Sequence, residues 1–122
     1  MTDHTGTGLT VHTERSGDRT VLTATGTIDY ENSDTLRSVF ESVLAGAGNP
    51  RVVLDLEHVE AVDSTGLALL IAADGWTRDR GGWLRLARPA DQVRRLIGTT
   101  NLDRRLSLYP SLAEALDRSV AE

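Results

Sequence analysis

The stretch "RVVLDLEHVEAVDSTGLALLIAA" (residues 51–73) decides the fold. Its first six residues, "RVVLDL" (51–56), form a nearly continuous apolar run, as a central strand covered on both faces would be. A polar passage follows, "EHVEAVDSTG" (57–66), expected as a loop. The apolar run from Gly66 onwards then predicts a helix from about Thr65 to Arg80, closed by Gly81 and Gly82. A buried strand, a loop and a helix of crossover length are half of a parallel β-α-β unit.

The same alternation extends outwards. "LTVHTER" (9–15) and "RTVLTATG" (19–26) are β-rich runs joined by the turn "SGD" (16–18), and predict an antiparallel hairpin. Leu36, Val39, Phe40, Val43 and Leu44 fall on one face of a helix over roughly 31–45, with Asp29 or Asn32 available to cap it. "WLRLA" (83–87) is a strand. Pro89 is expected as the first residue of a helix to about Ile97, "RLSLY" (105–109) as a last strand, and 111–120 as a helix opened by a Ser111–Glu114 capping box.

The expected fold is therefore α/β: a single domain with a mixed, mostly parallel five-stranded sheet and about four helices. Residues 1–8, small and polar, are expected as a flexible N-terminus, and 9–118 as the domain. Leu22, Val39, Val53, Leu54, Leu67, Ile71, Leu84 and Leu86 are expected in the core; the placement of Trp76 and Trp83 is left open.

Composition narrows the functional classes. The 122 residues are 39% hydrophobic and 25% charged, which is ordinary for one globular domain. The absence of cysteine removes disulfides, thiolate metal sites and thiol nucleophiles. Neither a signal-peptide pattern nor an apolar run near the ~20 residues of a membrane span is present, so a cytoplasmic protein without membrane contact is expected. Net charge is −5, yet residues 78–105 carry eight arginines against three aspartates, or +5. Those arginines are spread over a helix end, a strand and a second helix, which favours solvated faces over a nucleic-acid footprint.

In parallel sheets the functional edge lies outside the carboxyl ends of the strands. Two segments meet there: "GTIDYEN" (26–32) and the passage ending in Asp63, Ser64 and Thr65. If their strands are neighbours, Asp29 and Ser64 share one surface. Ser64 has three readings. It is suited to be an N-cap, with Asp63 favoured by the same helix dipole. As a nucleophile it needs a base, and only His58 is near, without a strand-to-helix elbow of the G-x-S-x-G type. As a hydroxyl at an exposed helix start, it is also open to a kinase. The acids Asp55, Glu57, Glu60 and Asp63 meet no ligand spacing for calcium or zinc, and no phosphate loop is present, so neither metal nor cofactor is expected. Asp55, alternating with inward leucines, is expected to be partly buried and hydrogen-bonded.

At these residues the chain resembles the bacterial anti-sigma factor antagonists, single-domain proteins of the STAS fold. Their D-S-[ST]-G-[LI] motif falls on Asp63, Ser64, Thr65, Gly66 and Leu67, and their G-x-[LI]-D element on Gly26, Thr27, Ile28 and Asp29. The resemblance spans about residues 9–118. It implies that the protein binds a serine-kinase anti-sigma factor and frees the sigma factor. It also implies that the kinase phosphorylates Ser64, with Thr65 as second candidate, and that a metal-dependent serine phosphatase reverses this. Asp29, Asp63, Ser64, Thr65 and Gly66 would meet the partner; ATP and metal would belong to the partners. Two positions depart from the pattern: Thr27 replaces a common Glu, and Asn101 stands where many members have glycine before leucine. Asparagine tolerates positive φ, so that turn is expected to persist. The alternatives are a STAS module for a transporter or signalling scaffold, without phosphorylation, and a small serine hydrolase using Ser64 and His58.

Overall fold

The computed structural model describes residues 2–46 and 48–117. Six strands form one sheet in sequence order: β1 (Thr2–Gly6), β2 (Leu9–Ser16), β3 (Arg19–Ile28), β4 (Arg51–Val62), β5 (Trp83–Ala87) and β6 (Ser107–Tyr109). The first two pairings are antiparallel and the remaining three parallel. The mixed α/β fold is as expected, with one strand more. Where a flexible extension was expected, Thr2–Gly6 add to the edge of β2 through a two-residue turn whose Gly8 has φ +76°. Its pairing is with backbone, so the polar sequence "TDHTG" carries no apolar alternation to announce it.

Strands β3 to β6 advance steadily in one direction, so right-handed crossovers place all three connecting helices on the same face. These are α1 (Ser33–Leu44), α2 (Ser64–Asp79) and α3 (Asp91–Thr99). Together with Val52, Leu54 and Leu56 they enclose the main core, which holds Leu22, Val39, Leu54, Leu67, Leu84 and Leu86 as expected. Ile71 is half-buried at its margin rather than inside it. Val53 points the other way, as alternation along a strand requires, and packs with Trp83, Ala87 and Ala115 beneath the short helix α4 (Leu112–Leu116). Trp83 is thus buried and Trp76 half-buried.

Several boundaries differ from those the sequence pattern predicts. Strand β4 continues to Val62, so most of the loop expected over 57–66 is strand. Buried Val59 and Val62 hold that extension to the core, and two irregularities in its pairing with β3 absorb its extra residues. Helix α3 begins at Asp91, with Pro89 two residues outside it and Ala90 in the cap position. Strand β6 begins at Ser107, two residues after its expected start at Arg105, following a single 3-10 turn, Leu102–Arg104. Asn101 precedes it at φ +59°, so the turn persists with asparagine in the left-handed region. Ser111 caps α4 by accepting from the Glu114 N–H at 3.1 Å; the expected continuation over 118–120 lies outside the described residues.

The arginines are not uniformly solvated. Arg85 is buried, with its guanidinium 3.8 Å from the centre of the Trp83 ring. Arg88, at the end of β5, adopts φ +53° and forks onto the buried carboxylate of Asp55. Its Nη1 also meets Glu57 at 2.9 Å. The hydrogen bond to Asp55 raises the Arg88 pKa above its ordinary value, and burial opposes that rise. The expected burial and bonding of Asp55 therefore have a specific cause, an arginine one strand away.

Candidate functional site

Strands β3 and β4 are parallel neighbours whose last residues, Ile28 and Val62, lie in register. Both chains leave the sheet at the same level, which brings the loop after Ile28 against the start of α2. The Asp63 N–H donates to the Ile28 carbonyl at 3.1 Å. The two carboxylate oxygens of Asp63 then divide their work. Oδ1 accepts from the Gly66 N–H at 2.9 Å, capping α2, while Oδ2 accepts from the Tyr30 N–H at 3.1 Å.

The cap is therefore Asp63 and not Ser64, which corrects the expectation from sequence. Both residue types favour the cap position, but the longer strand β4 delivers Asp63 to it and makes Ser64 the first helical residue. Ser64 is exposed, and its hydroxyl has no hydrogen-bond partner among the described residues. Thr65 beside it is half-buried. Gly66 is required by close packing: a Cβ there would stand 2.3 Å from the Ile28 carbonyl oxygen. It lets the first turn of α2 rest directly on the end of β3.

The facing loop is locked from within. Asp29 and Asn32 exchange bonds, Asn32 N–H to Asp29 Oδ1 at 3.1 Å and Asp29 N–H to Asn32 Oδ1 at 2.9 Å. Asn32 occupies the cap position of α1 but does not cap with its side chain; its buried Nδ2 donates to the carbonyls of Thr7 and Thr27. Thr27, the departure from the motif, donates its hydroxyl to Asp29 Oδ2 at 3.2 Å. Between these anchors stands Tyr30. It is 78% exposed and is the one exposed large hydrophobic residue among the described residues. No hydrophobic periodicity marks it in the sequence; the available signal is an aromatic directly after Asp29 in a polar loop.

The structure thus brings Asp29, Asp63, Ser64 and Thr65 together where β3 and β4 end, with Gly66 buried beneath them. It does not bring His58 to Ser64. His58 lies on β4 opposite Thr25, 3.2 Å from Glu57, and at a strand rise of about 3.3 Å per residue it is about 13 Å from Val62. No group of three potential metal ligands occurs among the described residues, where Asp55 and Glu57 are held by Arg88. No helix among them is long and apolar enough to cross a membrane.

Fold and site together define a small α/β module that presents a capped helix start and its hydroxyl at the end of two parallel strands. The chain belongs to the STAS domain family, whose family model matches residues 10–115. It is 30% identical over 101 residues to a candidate anti-sigma factor antagonist of Thermotoga neapolitana, covering 82% of this chain and 88% of that protein. Among solved structures it is similar to an anti-sigma factor antagonist from Mycobacterium paratuberculosis, at 30% identity and a TM-score of 0.80, over 88% of this chain and 91% of that one. The anti-sigma factor antagonist SpoIIAA in its unphosphorylated form shares the fold at 19% identity, with a TM-score of 0.74 over 92% of this chain and 99% of that one.

Proposed function

We propose that this protein is a cytoplasmic anti-sigma factor antagonist, a regulator of transcription that acts by partner switching. Unmodified, it binds a serine-kinase anti-sigma factor and thereby frees the sigma factor. The kinase transfers phosphate from ATP to Ser64 and so ends the interaction; a metal-dependent serine phosphatase restores it. The chain is a ligand and a substrate in this cycle, not a catalyst, and it contacts neither nucleic acid nor membrane. Its relatives named as anti-sigma factor antagonists support the general role.

One observation carries the choice of Ser64: its hydroxyl is exposed and uncommitted at a helix start that its neighbour caps. Phosphorylation therefore removes no bond from the fold. The Ser64 and Thr65 N–H groups belong to the first turn, where a helix has no carbonyls to receive them and where the dipole favours negative charge. Thr65, half-buried, is the second candidate. What phosphate changes is the surface. It places about −1.5 to −2 charge beside the Asp63 carboxylate, and a docked partner must desolvate both.

The test is binding of the parent, Ser64→Ala and Ser64→Asp to the kinase that modifies the protein. Ser64→Ala should bind as the parent does and accept no phosphate. Ser64→Asp should fold and bind at least tenfold more weakly, a change of about 1.4 kcal/mol. Parent-like affinity of Ser64→Asp would remove the switch.

A further inference from the structure

We infer that Tyr30 is the anchor through which the kinase recognises this protein, and so a determinant of partner specificity at Ser64. The inference rests on the function proposed above and adds a residue to it. Single exposed apolar side chains are common and mean little by themselves. Tyr30 differs in where it stands and how it is held. Its backbone N–H is bonded to Asp63, the residue that caps the helix bearing Ser64. Asp29 before Tyr30 and Asn32 two residues after it are fixed by their reciprocal bonds and by the ties of Asn32 to Thr7 and Thr27.

The loop is therefore ordered before any partner arrives, while the ring stays in water. Binding loses little backbone freedom at such a position, and the whole apolar face of a tyrosine is available for burial. Tyrosine has two side-chain torsions to fix, fewer than a long charged residue, and is enriched among residues that dominate interface energetics. Among the described residues, no hydrogen bond or ring contact engages the exposed ring. Asp29 and Glu31 beside it are charged, so its apolar surface is isolated, as an anchor ringed by polar contacts would be.

A kinase acting on Ser64 must cover this neighbourhood, because only the Asp63 carboxylate separates the Tyr30 backbone from the Ser64 helix turn. A tyrosine that anchors docking, without touching the reacting hydroxyl, affects how readily the substrate is captured and not how fast phosphate moves once it is bound.

The test uses the serine kinase isolated from the native cells by its transfer of phosphate from ATP to Ser64 of the intact protein. Steady-state kinetics are measured with the parent, Tyr30→Ala, Tyr30→Phe and Ser64→Ala as substrates. Tyr30→Ala should raise KM for the antagonist at least fivefold with kcat within twofold of the parent; Tyr30→Phe, which keeps the ring, should stay within twofold on both. Thermal unfolding should leave all three variants folded, since both side chains are exposed. A rise in KM below fivefold for Tyr30→Ala, or an equal loss in Tyr30→Phe, overturns the anchor while the Ser64 assignment stands. If the parent accepts no phosphate, or Ser64→Ala accepts as much, the proposed function fails and the anchor fails with it.

Discussion

Replacing Gly66 by alanine tests the packing on which the site is built. By helix propensity alone the change should help, since alanine is favoured over glycine inside a helix by up to about 1 kcal/mol. The structure reverses the sign. The new methyl would lie 2.3 Å from the Ile28 carbonyl oxygen and 2.8 Å from Ile28 Cγ2, where ordinary contact begins near 3.4 Å. Strand end and helix start must therefore part by about 1 Å. Overpacking of this kind costs about 1–3 kcal/mol. The same carbonyl accepts the Asp63 N–H, so its displacement also weakens a bond worth about 1 kcal/mol. We expect a net loss of about 1–3 kcal/mol, read as a Tm lowered by roughly 4–12 °C in a chain of this size. Gly75→Ala is the control: it lies in the same helix, with nothing within 4 Å of the added carbon, and should gain about 0.5–1 kcal/mol. Paired thermal and urea unfolding of the two variants decides the matter. If Gly66→Ala is as stable as the parent or more so, α2 does not rest on the end of β3 as described.

Three further outcomes follow from the same geometry. Asp63→Ala should cost about 0.5–2 kcal/mol by loss of the cap, while Ser64→Ala should stay within about 0.5 kcal/mol of the parent, both by urea denaturation. Arg88→Ala strands the buried carboxylate of Asp55 and should cost about 3 kcal/mol, the lower end for a broken buried pair because Arg88 itself is 33% exposed. Arg88→Gly should be less damaging than Arg88→Ala by about 1–2 kcal/mol, because glycine relieves the positive φ while losing the same ion pair; equal losses would show that the backbone is not strained there.

The architecture was readable from residues 51–73 because hydrophobic pattern depends on burial, and burial on both faces of β4 writes itself into "RVVLDL". Helix and strand order followed from the same signal. What pattern could not carry was pairing. Strand β1 is held by backbone bonds that leave no apolar trace, and the extension of β4 depends on irregularities in its register with β3. That extension decides which residue caps α2, so the cap moved from Ser64 to Asp63. The meeting of the two loops was legible, since consecutive parallel strands joined by one helix are commonly neighbours. The partner of Asp55 was not, because Arg88 reaches it across 33 residues of sequence.

The most direct test of the central claim is the intact mass of the protein purified from its native cells, before and after phosphatase treatment, followed by peptide mapping. We expect a fraction heavier by one phosphate, removed by the phosphatase and located on Ser64. A protein that carries no phosphate under any growth condition, or carries it at a residue away from the start of α2, contradicts that claim.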